Sequence, residues 1–126
     1  MAINPAAAYL ENKIKTATPA ELTLMLFDGA IKFCNIAIMA IDEEDVSKAH
    51  TNIIKAQDII SALRSSLDHK YEVADNLDKM YDYIYSRLVD ANIKKDKLII
   101  EEVLEHIRGL RDTWKEAMIL DSSQRK

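Results

Sequence analysis

Residues 18–42 read TPAELTLMLFDGAIKFCNIAIMAID, and this stretch decides the fold. Its opening, Thr18-Pro19-Ala20-Glu21, is a helix start. The Thr18 hydroxyl can accept the N–H of Glu21, and Glu21 can reach back to Thr18, which makes a capping box. Pro19 falls at the first helical position, where its missing N–H is harmless. A long helix over about Pro19 to Asp42 follows. It carries two apolar stripes. Leu22, Met25, Leu26, Gly29, Phe33, Ile36 and Ala40 form one, assigned here to the core of the fold. Leu24, Phe27, Ile31, Cys34 and Ile38 form a second, nearly opposite. A surface helix ordinarily has one apolar stripe and one polar face. The second stripe therefore needs a cover: the segment before Thr18, a second copy, or a partner.

The rest of the chain repeats the helical period. After an acidic connection, Glu43-Glu44-Asp45, a second long helix is expected over about Val46 to Leu67, with Asp45 as its N-cap. Val46, Ala49, Ile53, Ala56, Ile60 and Leu67 keep a 3.6-residue period. Asp68-His69-Lys70-Tyr71 reads as a loop. A third helix covers about Glu72 to Asn92, with Leu77, Met80, Tyr81, Ile84, Leu88 and Ala91 on one face. Tyr81, Tyr83 and Tyr85 could pass for strand alternation, but the flanking period places Tyr81 and Tyr85 on one side and Tyr83 away from them. Ile93-Lys94-Lys95 closes that helix, and Asp96 can cap a fourth over about Lys97 to Leu120. Short connections between long helices make neighbours antiparallel. The expected fold is all-α, an up-down-up-down four-helix bundle over residues 19–120. An N-terminal segment, 1–18, packs on it, and a frayed polar tail follows over 121–126.

Composition excludes most other classes. In 126 residues there are two glycines, two prolines and one cysteine. Too few turn residues are present for a sandwich, and no glycine-rich phosphate loop can be built. Cys34 alone gives neither a disulfide framework nor a multi-cysteine metal site. A formal net charge of −4 argues against nucleic acid as a partner. The stretch Leu22 to Ile41 holds only Asp28 and Lys32 as charges, but these stand at i and i+4 and can pair, so no membrane insertion is expected. The N-terminus lacks the pattern of a signal peptide.

No catalytic constellation emerges. The di-iron pattern needs a glutamate three residues before a histidine, and Ser47, Ser66 and Val103 stand at those places before His50, His69 and His106. No cofactor or metal is expected. Cys34 reads as a small buried hydrophobe. Gln57, Asn76 and Asn92 lie beside apolar faces, where they can bond the backbone of an extended partner or cap within the bundle. Two other readings stand beside partner binding, a self-associating helical adaptor bundle and a phosphotransfer module using His50; under partner binding the chain is expected to be a monomer or weak homodimer.

Several runs, in order along the chain, resemble one family. Thr18 to Ala30 resembles the first-helix signature of the flagellar secretion chaperone FliS family. Lys55-Ala56-Gln57-Asp58-Ile59-Ile60 with Leu63 resembles its second helix. Asn76-Leu77, Tyr81-Asp82-Tyr83 and Arg87-Leu88-Val89 with Ala91-Asn92 resemble its third, and Leu110-Arg111-Asp112-Thr113-Trp114 the end of its fourth. Asn4-Pro5 with Tyr9 resembles its N-terminal segment. Ala6 stands where the family usually has an aromatic, and His69-Lys70-Tyr71 where it usually has glycine. The resemblance implies a cytoplasmic, non-enzymatic chaperone. It would hold the disordered C-terminal segment of flagellin, block premature polymerisation and deliver it to the flagellar type III export apparatus. The N-terminal segment would then act as a lid anchored by Tyr9. On this reading the partner touches Tyr9, Leu24, Phe27, Ile31, Ile38, Gln57, Asn76, Leu77, Tyr81, Tyr85 and Asn92.

Overall fold

A computed structural model describes the backbone of residues 5–124 and the side chains of residues 11–121. The described residues form five helices and no strand: α1 (Pro5–Thr16), α2 (Pro19–Asp42), α3 (Val46–Ser65), α4 (Val73–Lys94) and α5 (Lys97–Gln124). The expected bounds of α2 hold at both ends. α5 continues past Leu120 to Gln124, so the polar tail is helical over its first residues rather than frayed.

Local chemistry sets the boundaries. Thr18 Oγ1 accepts the Glu21 N–H at 3.1 Å, and its hydroxyl donates to Glu21 Oε1 at 3.1 Å. Asp45 caps α3 by accepting the Lys48 N–H at 3.0 Å. Asp96 Oδ1 accepts the Leu98 N–H at 2.9 Å at the start of α5. α2 and α4 end alike, in a left-handed residue followed by a bond reaching five residues back. At the end of α2 that residue is Glu44 (φ 58°), with Asp45 N–H to the Ala40 carbonyl at 2.8 Å. At the end of α4 it is Lys95 (φ 50°), with Asp96 N–H to the Ala91 carbonyl at 3.2 Å. Glycine usually takes this position, and both turns here form without it. α4 is the exception at its start, since Glu72 offers no side-chain cap.

α2 packs on α3 and α5, and α4 packs on the same two helices. Side-chain ties give the direction of two of these pairs. Along α5, Lys97 Nζ meets Asp42 at 2.7 Å, Arg111 pairs with Asp28, and Trp114 Nε1 donates to the Ala20 carbonyl at 3.0 Å. The partners on α2 run backwards as α5 runs forwards. On α3 and α4, Arg64 binds Asp78 at 2.6 Å and Asp82 at 3.1 Å, while His50 Nδ1 meets Asn92 Nδ2 at 2.9 Å, again in reverse order.

The core is built from Ile53, Ile60, Leu63, Ile84, Leu88, Ile100, Val103 and Ile107, all nearly inaccessible, against the inner face of α2. That face is Phe27, Ala30, Cys34, Ala37 and Ala40. The two-stripe assignment from sequence is therefore corrected in part: of the stripe assigned to the core, Ala40 is buried and Leu26 and Phe33 pack against the core, while Leu22, Met25 and Ile36 do not belong to it. The stripe holding Phe27 and Cys34 lies inward, with Ile31 and Ile38 packed against the core at its margin. Leu22 is 37% exposed, and Phe33 and Ile36 are half-buried. α2 passes the length and hydropathy test for a membrane span, yet here its inner side meets two helices and its Asp28 is ion-paired.

Polar ties hold α4. Arg64 hydrogen-bonds Asp78 and attracts it, which lowers the Asp78 pKa from its ordinary 3.8. A hydrogen bond from the Tyr83 phenol, then one from Arg87, lowers Glu102 from 4.5. Between the lowered and ordinary values the unfolded chain binds more protons, so stability rises with pH there. The contribution is full above the ordinary values and is lost as pH falls through the lowered ones. The melting midpoint is expected to drop between about pH 5 and pH 3. The drop is expected to be smaller in an Asp78→Asn, Glu102→Gln double variant at equal ionic strength. Equal slopes in the two proteins would show that these pairs contribute nothing measurable.

Candidate partner-docking surface

The surface begins with the sizes of the side chains on α2. Its inner face is mostly alanine, which brings α3 and α5 close. At Gly29 α3 comes close: a Cβ there would lie 3.1 Å from Ile59 Cδ1. Phe27 is the one large apolar side chain fully buried on that face, and a set of others lies on the opposite side. Leu22, Met25, Ile36 and Met39 face outward or half-outward, Met39 being 58% exposed. Lys32 lies on the same face and is exposed. From Leu22 to Met39 this apolar strip runs about 26 Å at 1.5 Å per residue. At its edge the half-buried Phe33 ring lies under two ammonium groups, Lys55 at 5.3 Å and Lys32 at 5.7 Å from its centroid.

Burial separates the residues expected to touch a partner. Phe27, Tyr81 and Gln57 are 2%, 4% and 6% exposed. Phe27 and Tyr81 belong to the core cluster, so the expectation that they present a surface is corrected. Burial pushes the Tyr81 phenol up to about 12. Gln57 sits on α3 between His50 and Arg64 at heptad spacing, and its Oε1 has no hydrogen-bond partner. Leu24, Ile31, Ile38, Leu77 and Asn92 are half-buried, while Asn76 and Tyr85 are exposed. Asn92 is already engaged: besides His50, its Oδ1 accepts from Lys95 Nζ at 2.7 Å. These residues therefore do not form one patch. Leu24, Ile31 and Ile38 lie on the α5 side of α2, Asn92 on the α3–α4 seam, and Asn76 on the register of α4 that turns toward α5. Tyr9 falls outside the residues whose side chains are described, and so does its role as a lid anchor. The described side chains of α1, Glu11 to Thr16, are all exposed.

Sequence reasoning missed the outward role of Met25, Ile36 and Met39. The signal was present as residue size, since the alanines of α2 recur at Ala30, Ala37 and Ala40. Cys34 stands with them. It is 1% exposed, and burial raises its thiol to about 12, which makes it an unreactive core residue at neutral pH.

Residues 2–121 match the family model described as flagellar protein FliS. The chain belongs to the FliS family. It is 46% identical to the flagellar secretion chaperone FliS of Bacillus subtilis, covering 98% of this chain and 90% of that protein. The Salmonella typhimurium chaperone of the same name is 34% identical over 85% of this chain and 82% of its own length. The Escherichia coli one is 33% identical over 90% and 85%. Membership of the FliS family sets the chain among flagellar secretion chaperones and not among enzymes. The all-helical fold fits that membership, and the phosphotransfer reading of His50 has no support from it.

Proposed function

We propose that this protein is a cytoplasmic export chaperone that binds the disordered C-terminal segment of flagellin, prevents its premature polymerisation and assists its delivery to the flagellar type III export apparatus. One observation carries the reading: α2 buries Phe27 and a row of small residues, yet leaves Leu22 and Met39 exposed and Met25 and Ile36 only half-buried on its other side. A monomeric helix with nothing to bind gains by the opposite arrangement, since burying a large apolar side chain contributes about 1.5–3 kcal/mol. An amphipathic segment laid along Leu22, Met25, Ile36 and Met39 would complete that burial by the helix-in-groove mode. The family match supplies the export context. In this reading the pairings α2–α3, α3–α4, α4–α5 and α5–α2 form an antiparallel, up-down-up-down four-helix bundle over residues 19–120. Residues 1–18 serve as an accessory segment, and Tyr85 and Asn76 remain accessible for contacts outside the α2 strip.

The test is a calorimetric titration with a peptide of the flagellin C-terminal segment. Saturable one-to-one binding with a negative heat-capacity change is expected, the mark of apolar burial. Absence of heat and of any complex on a sizing column would overturn the reading.

A further inference from the structure

Methionine is ordinarily among the residues most often fully buried. Here none of Met25, Met39, Met80 and Met118 is. Met39 is 58% exposed, Met80 is 40% exposed, and Met25 and Met118 are half-buried. Met25 and Met39 share the outward face of α2, about 21 Å apart along its axis. Thioethers therefore stand near both ends of the apolar strip.

The chain's one thiol is placed the other way. Cys34 lies on the inner face of α2 and is 1% exposed, and burial keeps its proton on. Oxidants react with the thiolate form, so Cys34 does not compete for them. Leucine on the strip would serve apolar contact alone. Methionine adds two properties: a flexible stem that adapts to varied partners, and a sulfur that two-electron oxidants turn into a polar group.

We propose that Met25 and Met39 are sites of reversible oxidation that switch off cargo docking on α2. Hydrogen peroxide transfers one oxygen to the thioether sulfur. The O–O bond breaks, an S–O bond forms, and water leaves. The sulfur lone pair supplies the two electrons, so methionine is oxidised and peroxide reduced. The product is a chiral sulfoxide with a strongly accepting oxygen. In the free chaperone that oxygen stays in water. Under a bound apolar segment it gives up its water, and burying a polar group is costly. A sulfoxide reductase reverses the step with two thiols: they become a disulfide, the oxygen leaves as water, and the thioether returns. The inference rests on the α2 docking reading and adds the regulation of that site.

The test treats the chaperone alone with hydrogen peroxide, destroys the excess with catalase, and then titrates a methionine-free flagellin C-terminal peptide. Peptide mass mapping should find sulfoxide at Met39 and Met25. Affinity should fall about tenfold for each sulfoxide covered by the peptide, and about a hundredfold for both. It should return after treatment with the two epimer-specific sulfoxide reductases and dithiothreitol. Each protein is its own reference, unoxidised against oxidised. In Met25→Leu, Met39→Leu the ratio of the two affinities should be close to one. In Met80→Leu, Met118→Leu it should match wild type, because these residues lie on α4 and α5. Met80 lines a cavity of about 220 Å³ between those helices, with Tyr83, Ile84 and His106.

Unchanged affinity of oxidised wild type, with sulfoxide confirmed at both α2 sites, would overturn the switch and leave the chaperone reading intact. So would a loss of affinity that Met80→Leu, Met118→Leu prevents, or oxidised protein that no longer melts cooperatively. Sulfoxide absent from both α2 sites while Met80 is oxidised would overturn it too. No binding by unoxidised wild type would remove the docking reading and the switch with it.

Discussion

Phe27→Asp is expected to abolish cooperative unfolding, and Phe33→Asp is not, although both replace a phenylalanine on the same helix. Phe27 is 2% exposed and sits among the core residues of the bundle. Removing a buried phenyl group leaves a deficit of about 3–5 kcal/mol. A carboxylate in its place adds a desolvation cost of several more, with no cation to offset it. Together these approach the whole of a domain's stability, about 5–15 kcal/mol. Phe33 is half-buried, with Lys55 and Lys32 close to its ring, at 5.3 Å and 5.7 Å from the centroid. An aspartate there could reach either ammonium, and the expected loss is about 1–2 kcal/mol, the part-burial of one ring. Thermal melts followed by circular dichroism decide between them. A cooperative melt for Phe27→Asp with a broad, non-cooperative trace for Phe33→Asp would mean that α2 is rotated by about a third of a turn from the register described.

The second large effect concerns the outward strip. A Met25→Asp, Ile36→Asp double variant is expected to lose about a thousandfold in affinity for the flagellin C-terminal peptide while melting within a few degrees of wild type. Each side chain is half-buried already, so completing its burial contributes about 1 kcal/mol. A carboxylate trapped under the bound segment adds about 1 kcal/mol or more. Two sites give about 4 kcal/mol, which is close to a thousandfold. In the free protein the carboxylate introduced by Ile36→Asp would stand one turn from Lys32 and stay in water, which spares the fold. The same substitutions at Ile31 and Ile38 should do the reverse, since these side chains pack against the core. A double variant that binds like wild type would place the cargo elsewhere on the bundle.

The contrast between these helix faces shows what is readable in the chain. Helix ends are, because they depend on a few adjacent atoms: Thr18 with Glu21, Asp45 with the Lys48 amide, Asp96 with the Leu98 amide. The number and order of the long helices are readable for the same reason, and the family signatures ride on them. The rotation of α2 is not. Both stripes are apolar and hold side chains of similar size, so the period alone does not say which one faces inward. The helices approach over Ala30, Ala37 and Ala40, where little volume is needed. Phe27 is misplaced because it shares a stripe with the residues assigned outward. Tyr81 is misplaced because an aromatic with a polar tip suits a surface as well as a core. The α4–α5 cavity is invisible in the sequence, since Met80 and Tyr83 on one helix and His106 on another create it only through their relative height.

The ties between α2 and α5 also set a schedule. Ala20 waits for Trp114, and Asp28 for Arg111, 94 and 83 residues further along the chain. During synthesis at about 5–20 residues per second, roughly 4–14 s separate the appearance of Asp42 from that of Trp114. Throughout that interval the most apolar helix of the protein has α3 beside it but no α5. The newborn chaperone is thus itself a sticky chain in need of shelter, and it stops being one only when its last helix is released.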